Sequence, residues 1–188
     1  MIDRRHLLLG AALGALATRL AQATTMSRVT AYAFTFKALD GTDILLASYA
    51  GHPILLVNTA SLCGYTPQYT GLQALWTRYR GKGLMVLAVP SNDFGGQEPG
   101  TNAEIKTFCE LKYKTTFPLF EKIDVNGDGQ SPIYAELEKT PDAEGYTGDV
   151  RWNFEKFLVG RDASVTRFAP QVTPEDPTLL VAIESALH

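Results

Sequence analysis

Cysteine is scarce in this sequence: Cys63 and Cys109 are the only two among 188 residues. That leaves no cysteine-built metal knuckle and at most one disulfide within the chain. The three histidines, His6, His52 and His188, stand at no ligand spacing, so no metal is expected. Lys/Arg-rich runs are missing and the net charge is −3, which argues against nucleic acid as a partner. No repeat or low-complexity tract appears, which excludes a solenoid. The marked apolar run, LLLGAALGALA from Leu7 to Ala17, would reach only ~16 Å as a helix against a bilayer core of ~30 Å. Stable membrane insertion is therefore not expected.

What is present is an ordinary globular composition, 45% hydrophobic and 20% charged, in a length that suits one domain with a full core. The start of the chain differs from the rest. Arg4 and Arg5 precede the apolar run, and the small-x-small triplet Ala21–Ala23 follows it. This is the layout of a secretory signal over residues 1–23, and the paired arginines hint at twin-arginine export. The expectation is a periplasmic protein whose mature domain spans 24–188. The alternatives are a retained tail or a start at Met26, either of which leaves the protein cytoplasmic. In an oxidising compartment the two thiols could also form a plain structural disulfide.

The mature chain alternates strand and helix signals. Ile54–Ala60 and Leu84–Pro90 are short apolar runs of the buried-strand kind. Between them Tyr69, Leu72, Leu75, Trp76 and Tyr79 recur at helical spacing, after Thr66 as N-cap and Pro67 at the first helical position. TNAEIKTFCELKY predicts a second helix with a Thr101/Glu104 capping box. FPLFEKI reads as a strand or its approach, and Ser131–Thr140 as a short helix. FEKFLVG and SVTRFAP form a hairpin across Gly160–Asp162, and a helix closes the chain. The order implies an α/β fold with a mixed sheet, in which reactive groups belong at the C-terminal strand ends.

Cys63 falls at such an end, with Gly64 beside it and a helix beginning shortly after. A helix N-terminus favours a thiolate, whereas a packed core cysteine stays inert; position alone does not separate the two. Two other segments add neutral donors. Gln97 lies in SNDFGGQEPGT after the second parallel strand, and Trp152 and Asn153 precede another strand. Amide and indole donors suit the solvation of a thiolate and of the oxygen released when a peroxide bond breaks.

ASLCGYTPQYTGLQ, VPSNDFGGQEPGTNAEI and WNFEKFLVG together resemble the three signature segments of the glutathione peroxidase family, in its order and spacing, within a similarity running from about Tyr32 to the C-terminus. The resemblance implies a thioredoxin-like fold, a central mixed sheet flanked by helices on both faces, and reduction of hydroperoxides without metal or organic cofactor. It places the family's catalytic tetrad on Cys63, Gln97, Trp152 and Asn153. Ser91 and Asp93 depart from the family pattern, standing where cysteine and glutamine are frequent. By the same resemblance, a second cysteine on the helix after GGQEPG resolves the oxidised thiol, and a thioredoxin-like protein reduces the disulfide. Cys109 lies on that helix one residue before the usual position, which Glu110 occupies; a packed core thiol beside Ile105 and Phe108 is the alternative.

A one-cysteine, glutathione-dependent route and a non-enzymatic peroxide sensor or redox relay also remain open. No arginine cluster suggests a glutathione carboxylate pocket. The short segment between Lys139 and Arg151 implies a monomer with an open site that admits bulky lipid hydroperoxides. Asp124–Ala135 imitates a calcium loop, but Ser131 and Ala135 occupy its eighth and twelfth positions, so a simple turn is expected.

Overall fold

The structure, a computed structural model, describes residues 34–188. The expected export signal over residues 1–23 lies outside the described residues. Among the described residues, no helix is long and apolar enough to cross a membrane.

Six strands occur among the described residues: β1 (Thr35–Lys37), β2 (Asp43–Leu45), β3 (Ile54–Thr59), β4 (Met85–Pro90), β5 (Lys156–Val159) and β6 (Val165–Phe168). β1 and β2 form a separate small hairpin; the main sheet has the order β4-β3-β5-β6. β3 pairs with β4 in parallel and with β5 antiparallel, and β5 pairs antiparallel with β6. The sheet is therefore mixed. Every residue of β3 is buried, which explains its continuous apolar run: both faces of this strand are covered.

Among the described residues four α-helices cover the sheet: α1 (Gln68–Tyr79), α2 (Asn102–Phe108), α3 (Pro132–Leu137) and α4 (Pro177–Ala186). Alternation along β3 divides them. Leu55 and Val57 share one core cluster with Leu72 of α1, Ile105 of α2, and Leu179 and Ile183 of α4. Ile54 and Leu56 share the other with Phe36 and with Ile133, Tyr134 and Leu137 of α3. Helices thus flank both faces, as expected.

Two expectations are corrected. FPLFEKI contributes no full strand: only isolated bridges tie Leu119 to Ala88 and Phe120 to Ala38. Pro118 follows Phe117 here and has no N–H to extend a ladder, although its carbonyl still accepts from Ala88. The second helix keeps its capping box at Thr101 and Glu104, but α2 ends at Phe108 and a π-turn runs over Cys109–Tyr113. Lys114 closes that turn in the left-handed region, at φ 55°.

A buried ion pair fastens the segment before β5. Arg167 Nε donates to Glu155 Oε1 at 2.7 Å, with both side chains fully buried. The rest of the guanidinium donates to the carbonyls of Glu138, Gly148 and Asp149.

Candidate active site

Three segments meet at one end of the sheet. The first leaves β3 through Ser61 and Leu62 to Cys63. The Cys63 N–H donates to Thr66 Oγ1 at 3.0 Å, and that hydroxyl donates onward to Ala60 O at 2.9 Å. The Tyr65 N–H then points at Cys63 Sγ, 3.3 Å away. Thr66 is therefore not the helix cap expected from sequence; α1 begins at Gln68 with no side-chain cap. Its hydroxyl is committed to the turn that holds Cys63, so the sulfur takes its donor from that turn, ahead of the helix.

The second segment leaves β4 at Pro90 and turns back at Gly95 and Gly96, whose φ values of 62° and 65° suit residues without a Cβ. This return brings Gln97 O to the Leu62 N–H at 3.1 Å, next to Cys63. Asp93, one of the departures from the family pattern, anchors the loop through its carboxylate. Its Oδ2 accepts from the N–H groups of Val125 at 2.6 Å and Asn126 at 3.1 Å. The loop is thereby tied to the turn whose sequence imitates a calcium loop, and no metal-binding cluster occurs among the described residues.

The third segment, Trp152–Phe154, is clamped to β3. Asn58 Nδ2 donates to Trp152 O at 3.0 Å, and the Phe154 N–H donates to Asn58 O at 2.6 Å. Phe154 adopts φ 66°, an unfavourable conformation for a bulky residue. The result aims fully buried Asn153 at Gln97, with Nδ2 donating to Gln97 Oε1 at 2.9 Å. Because Gln97 spends its carbonyl on Asn153, its Nε2 remains as a neutral donor. Trp152 is 39% exposed, and its ring lies 5.6 Å from that of Phe94. Exposed Leu62 and Tyr65 add apolar surface on the Cys63 segment.

Gln97 and Asn153 are thus bonded directly. Gln97 joins the Cys63 segment through the backbone, and the Trp152 carbonyl is tied to Asn58 on β3. Cys109 is a free, fully buried thiol in the same apolar core cluster as Cys63, which is also free and is 8% exposed. Burial pushes the Cys109 thiol up to about 11, partly offset by an interaction with the Tyr69 hydroxyl.

Sequence reasoning missed three polar residues that build this site. Asn58 clamps the third segment. Glu98, 1% exposed, accepts from the Ser61 hydroxyl at 2.7 Å, and burial raises its pKa. Lys156 is fully buried in β5. The available signal was the same for Asn58 and Lys156: a polar side chain within a strand run otherwise apolar on both faces.

Comparison with known proteins bears on the family and the fold. Residues 31–138 match the family model described as glutathione peroxidase. The hydroperoxy fatty acid reductase Gpx2 of Synechocystis sp. is 51% identical over 150 residues, which cover 79% of this chain and 94% of that protein. The thioredoxin/glutathione peroxidase BtuE of Escherichia coli is 43% identical over 171 residues, covering 80% and 93%. Among solved structures, T. cruzi GPX1 matches with a TM-score of 0.67 at 34% identity, over 84% of this chain and 96% of that one. A thioredoxin family thiol:disulfide interchange protein from Chlorobium tepidum matches at 0.59 with 14% identity, over 82% of this chain and 93% of that one, a likeness of fold alone.

Proposed function

Since the chain belongs to the glutathione peroxidase family and is a thiol-dependent peroxidase acting on hydroperoxides, we propose that Cys63 is its peroxidatic thiol, served by Gln97, Trp152 and Asn153. The observation that carries this reading is the meeting of three segments at one end of the sheet: the Leu62 N–H, next to Cys63, donates to Gln97 O, and Asn153 Nδ2 donates to Gln97 Oε1. The Cys63 thiolate attacks the terminal oxygen of ROOH. The O–O bond breaks, RO⁻ leaves and takes a proton to become ROH, and sulfur remains as a sulfenic acid. Uncharged donors from Gln97, Trp152 and Asn153 stabilise the departing oxygen without placing a fixed cation beside the thiolate.

Cys109 is the resolving thiol in this reading. Its sulfur attacks that of the sulfenic acid, water leaves, and a Cys63–Cys109 disulfide forms; a thioredoxin-like dithiol returns two electrons and two protons. A disulfide needs its Cα atoms within ~7 Å, so the resolving step calls for the buried Cys109 sulfur to reach that of Cys63. Its place in a π-turn supports this, because such turns are rare interruptions of a helix that recur at functional sites. The relatives named for hydroperoxy fatty acids, together with the apolar Leu62, Tyr65 and Trp152, favour acyl hydroperoxides as substrates. The domain is taken as residues 24–188, exported to the periplasm after loss of residues 1–23, and monomeric.

One experiment separates these elements. Hydroperoxide consumption is followed with thioredoxin and with glutathione, using wild type, Cys63→Ser and Cys109→Ser. Cys63→Ser is expected to lose both activities, and retention of the wild-type rate overturns the reading. Cys109→Ser is expected to lose only the thioredoxin-driven rate. Loss of neither assigns Cys109 to the core and leaves a one-cysteine route.

A further inference from the structure

Lys156 is a buried cation with no carboxylate bonded to it among the described residues. Its Nζ donates to Phe154 O at 2.7 Å and to Pro170 O at 3.2 Å. Neither acceptor is charged, so burial lowers its pKa from 10.5 to about 7. Two carboxylates act on it electrostatically, Glu155 and Glu175. Glu155 is already engaged by Arg151 and Arg167. A desolvated ammonium with only carbonyl partners is a costly feature to retain in a strand where an aliphatic side chain would fit.

Its two acceptors are informative. Phe154 is the residue held at φ 66°, directly after Asn153. Its N–H and the carbonyl of Trp152 are already fixed by Asn58, and Lys156 fixes the Phe154 carbonyl, the last backbone group of the turn. Pro170 O accepts a second bond, from Gln68 Nε2 at 2.9 Å. Gln68 is the first residue of the helix that follows the Cys63 turn. One amine therefore links the turn that carries Asn153 to the helix behind Cys63.

We propose that Lys156 is a positioning residue for the oxidation step: its Nζ holds the left-handed turn at Phe154 and joins it, through Pro170, to the helix of the Cys63 segment, so that Asn153 and Trp152 stay in register with the sulfur. It touches neither substrate nor sulfur. Its influence passes through the backbone, and the reductive half-reaction does not depend on it.

The proposal rests on the assignment of Cys63 as peroxidatic thiol, and its test keeps the two apart. Reduced wild type and Lys156→Met, a variant of similar length without donors, are mixed with hydrogen peroxide in a single turnover. Sulfenic acid or disulfide formation is quantified by mass spectrometry, and reduction of the oxidised protein by thioredoxin is timed separately. The expected result is Cys63 oxidation slowed at least tenfold, a reduction rate within twofold of wild type, and a Tm no lower than wild type. Oxidation within twofold of wild type overturns the proposal. A parallel fall of both half-reactions together with Tm also overturns it, because that is the behaviour of a purely structural residue. If Lys156→Met does not fold, Lys156→Gln carries the same comparison, its shorter side chain drawing the donor back from both carbonyls. A wild type whose Cys63 is not oxidised at all would instead sink the assignment of the thiol.

Discussion

Glu98 and Cys109 are buried acids on which desolvation holds the proton, and the consequences differ. With its pKa pushed up to about 11, Cys109 is thiolate to only roughly one part in ten thousand at neutral pH. A brief treatment of the reduced native protein with iodoacetamide should therefore label Cys63 and spare Cys109, as read from peptide masses. Cys109 should react only after denaturation. Glu98 speaks to stability. Its folded pKa lies above the unfolded value of 4.5 because of burial, so the folded state keeps a proton that the unfolded chain gives up. Stability therefore falls as pH rises from 4.5 through the folded value. Glu98→Gln removes this term while keeping an acceptor for Ser61. Its Tm relative to wild type should rise as the pH is raised from 4.5 through the folded value; a constant difference would contradict the sign.

Among the elements, the segment from Thr101 to Lys114 shows best what sequence reveals and what it hides. The capping box was legible because it is local chemistry: a threonine and a glutamate three residues apart satisfy each other's backbone donors. The π-turn was not legible, since an apolar residue at Cys109 fits helical periodicity equally well. The turn ends at Lys114 in a left-handed conformation, which a lysine adopts at a cost. Lys114→Gly should remove that cost and, after the entropy added to the unfolded chain, stabilise the protein by ~0.5–1 kcal/mol in urea denaturation. Similar reasoning explains the misplaced cap of α1. Thr66 followed by Pro67 has the composition of a helix start, but the hydroxyl had a competing use three residues back, at the Cys63 N–H. The candidate tetrad could be named from motif types alone. The clamp from Asn58 could not, because its partners lie about ninety residues away.

At the scale of the molecule, the Glu155–Arg167 pair determines where the approach to β5 lies. Arg167 gathers three backbone carbonyls from the Glu138–Asp149 segment while paired to Glu155, so a single interior charge network seats the stretch that leads into Trp152. Deleting one partner leaves the other charge buried and uncompensated. Glu155→Gln should cost about 3 kcal/mol in urea denaturation, and a loss below about 1 kcal/mol would show that the interior solvates Arg167 without it.

The central pairing of the sheet carries a further consequence. β3 meets β5 across about a hundred residues of chain, with Leu55 opposite Leu158, and only that encounter brings Asn58 to the Trp152–Phe154 turn. Closing so long a loop is the slow part of assembling such a topology. During renaturation the catalytic power should consequently lag behind helix formation. An intermediate lacking the C-terminal hairpin would carry Cys63 and Gln97 without the Asn153 that bonds Gln97, and on the proposed assignment of Cys63 it would be inert, a partly built enzyme.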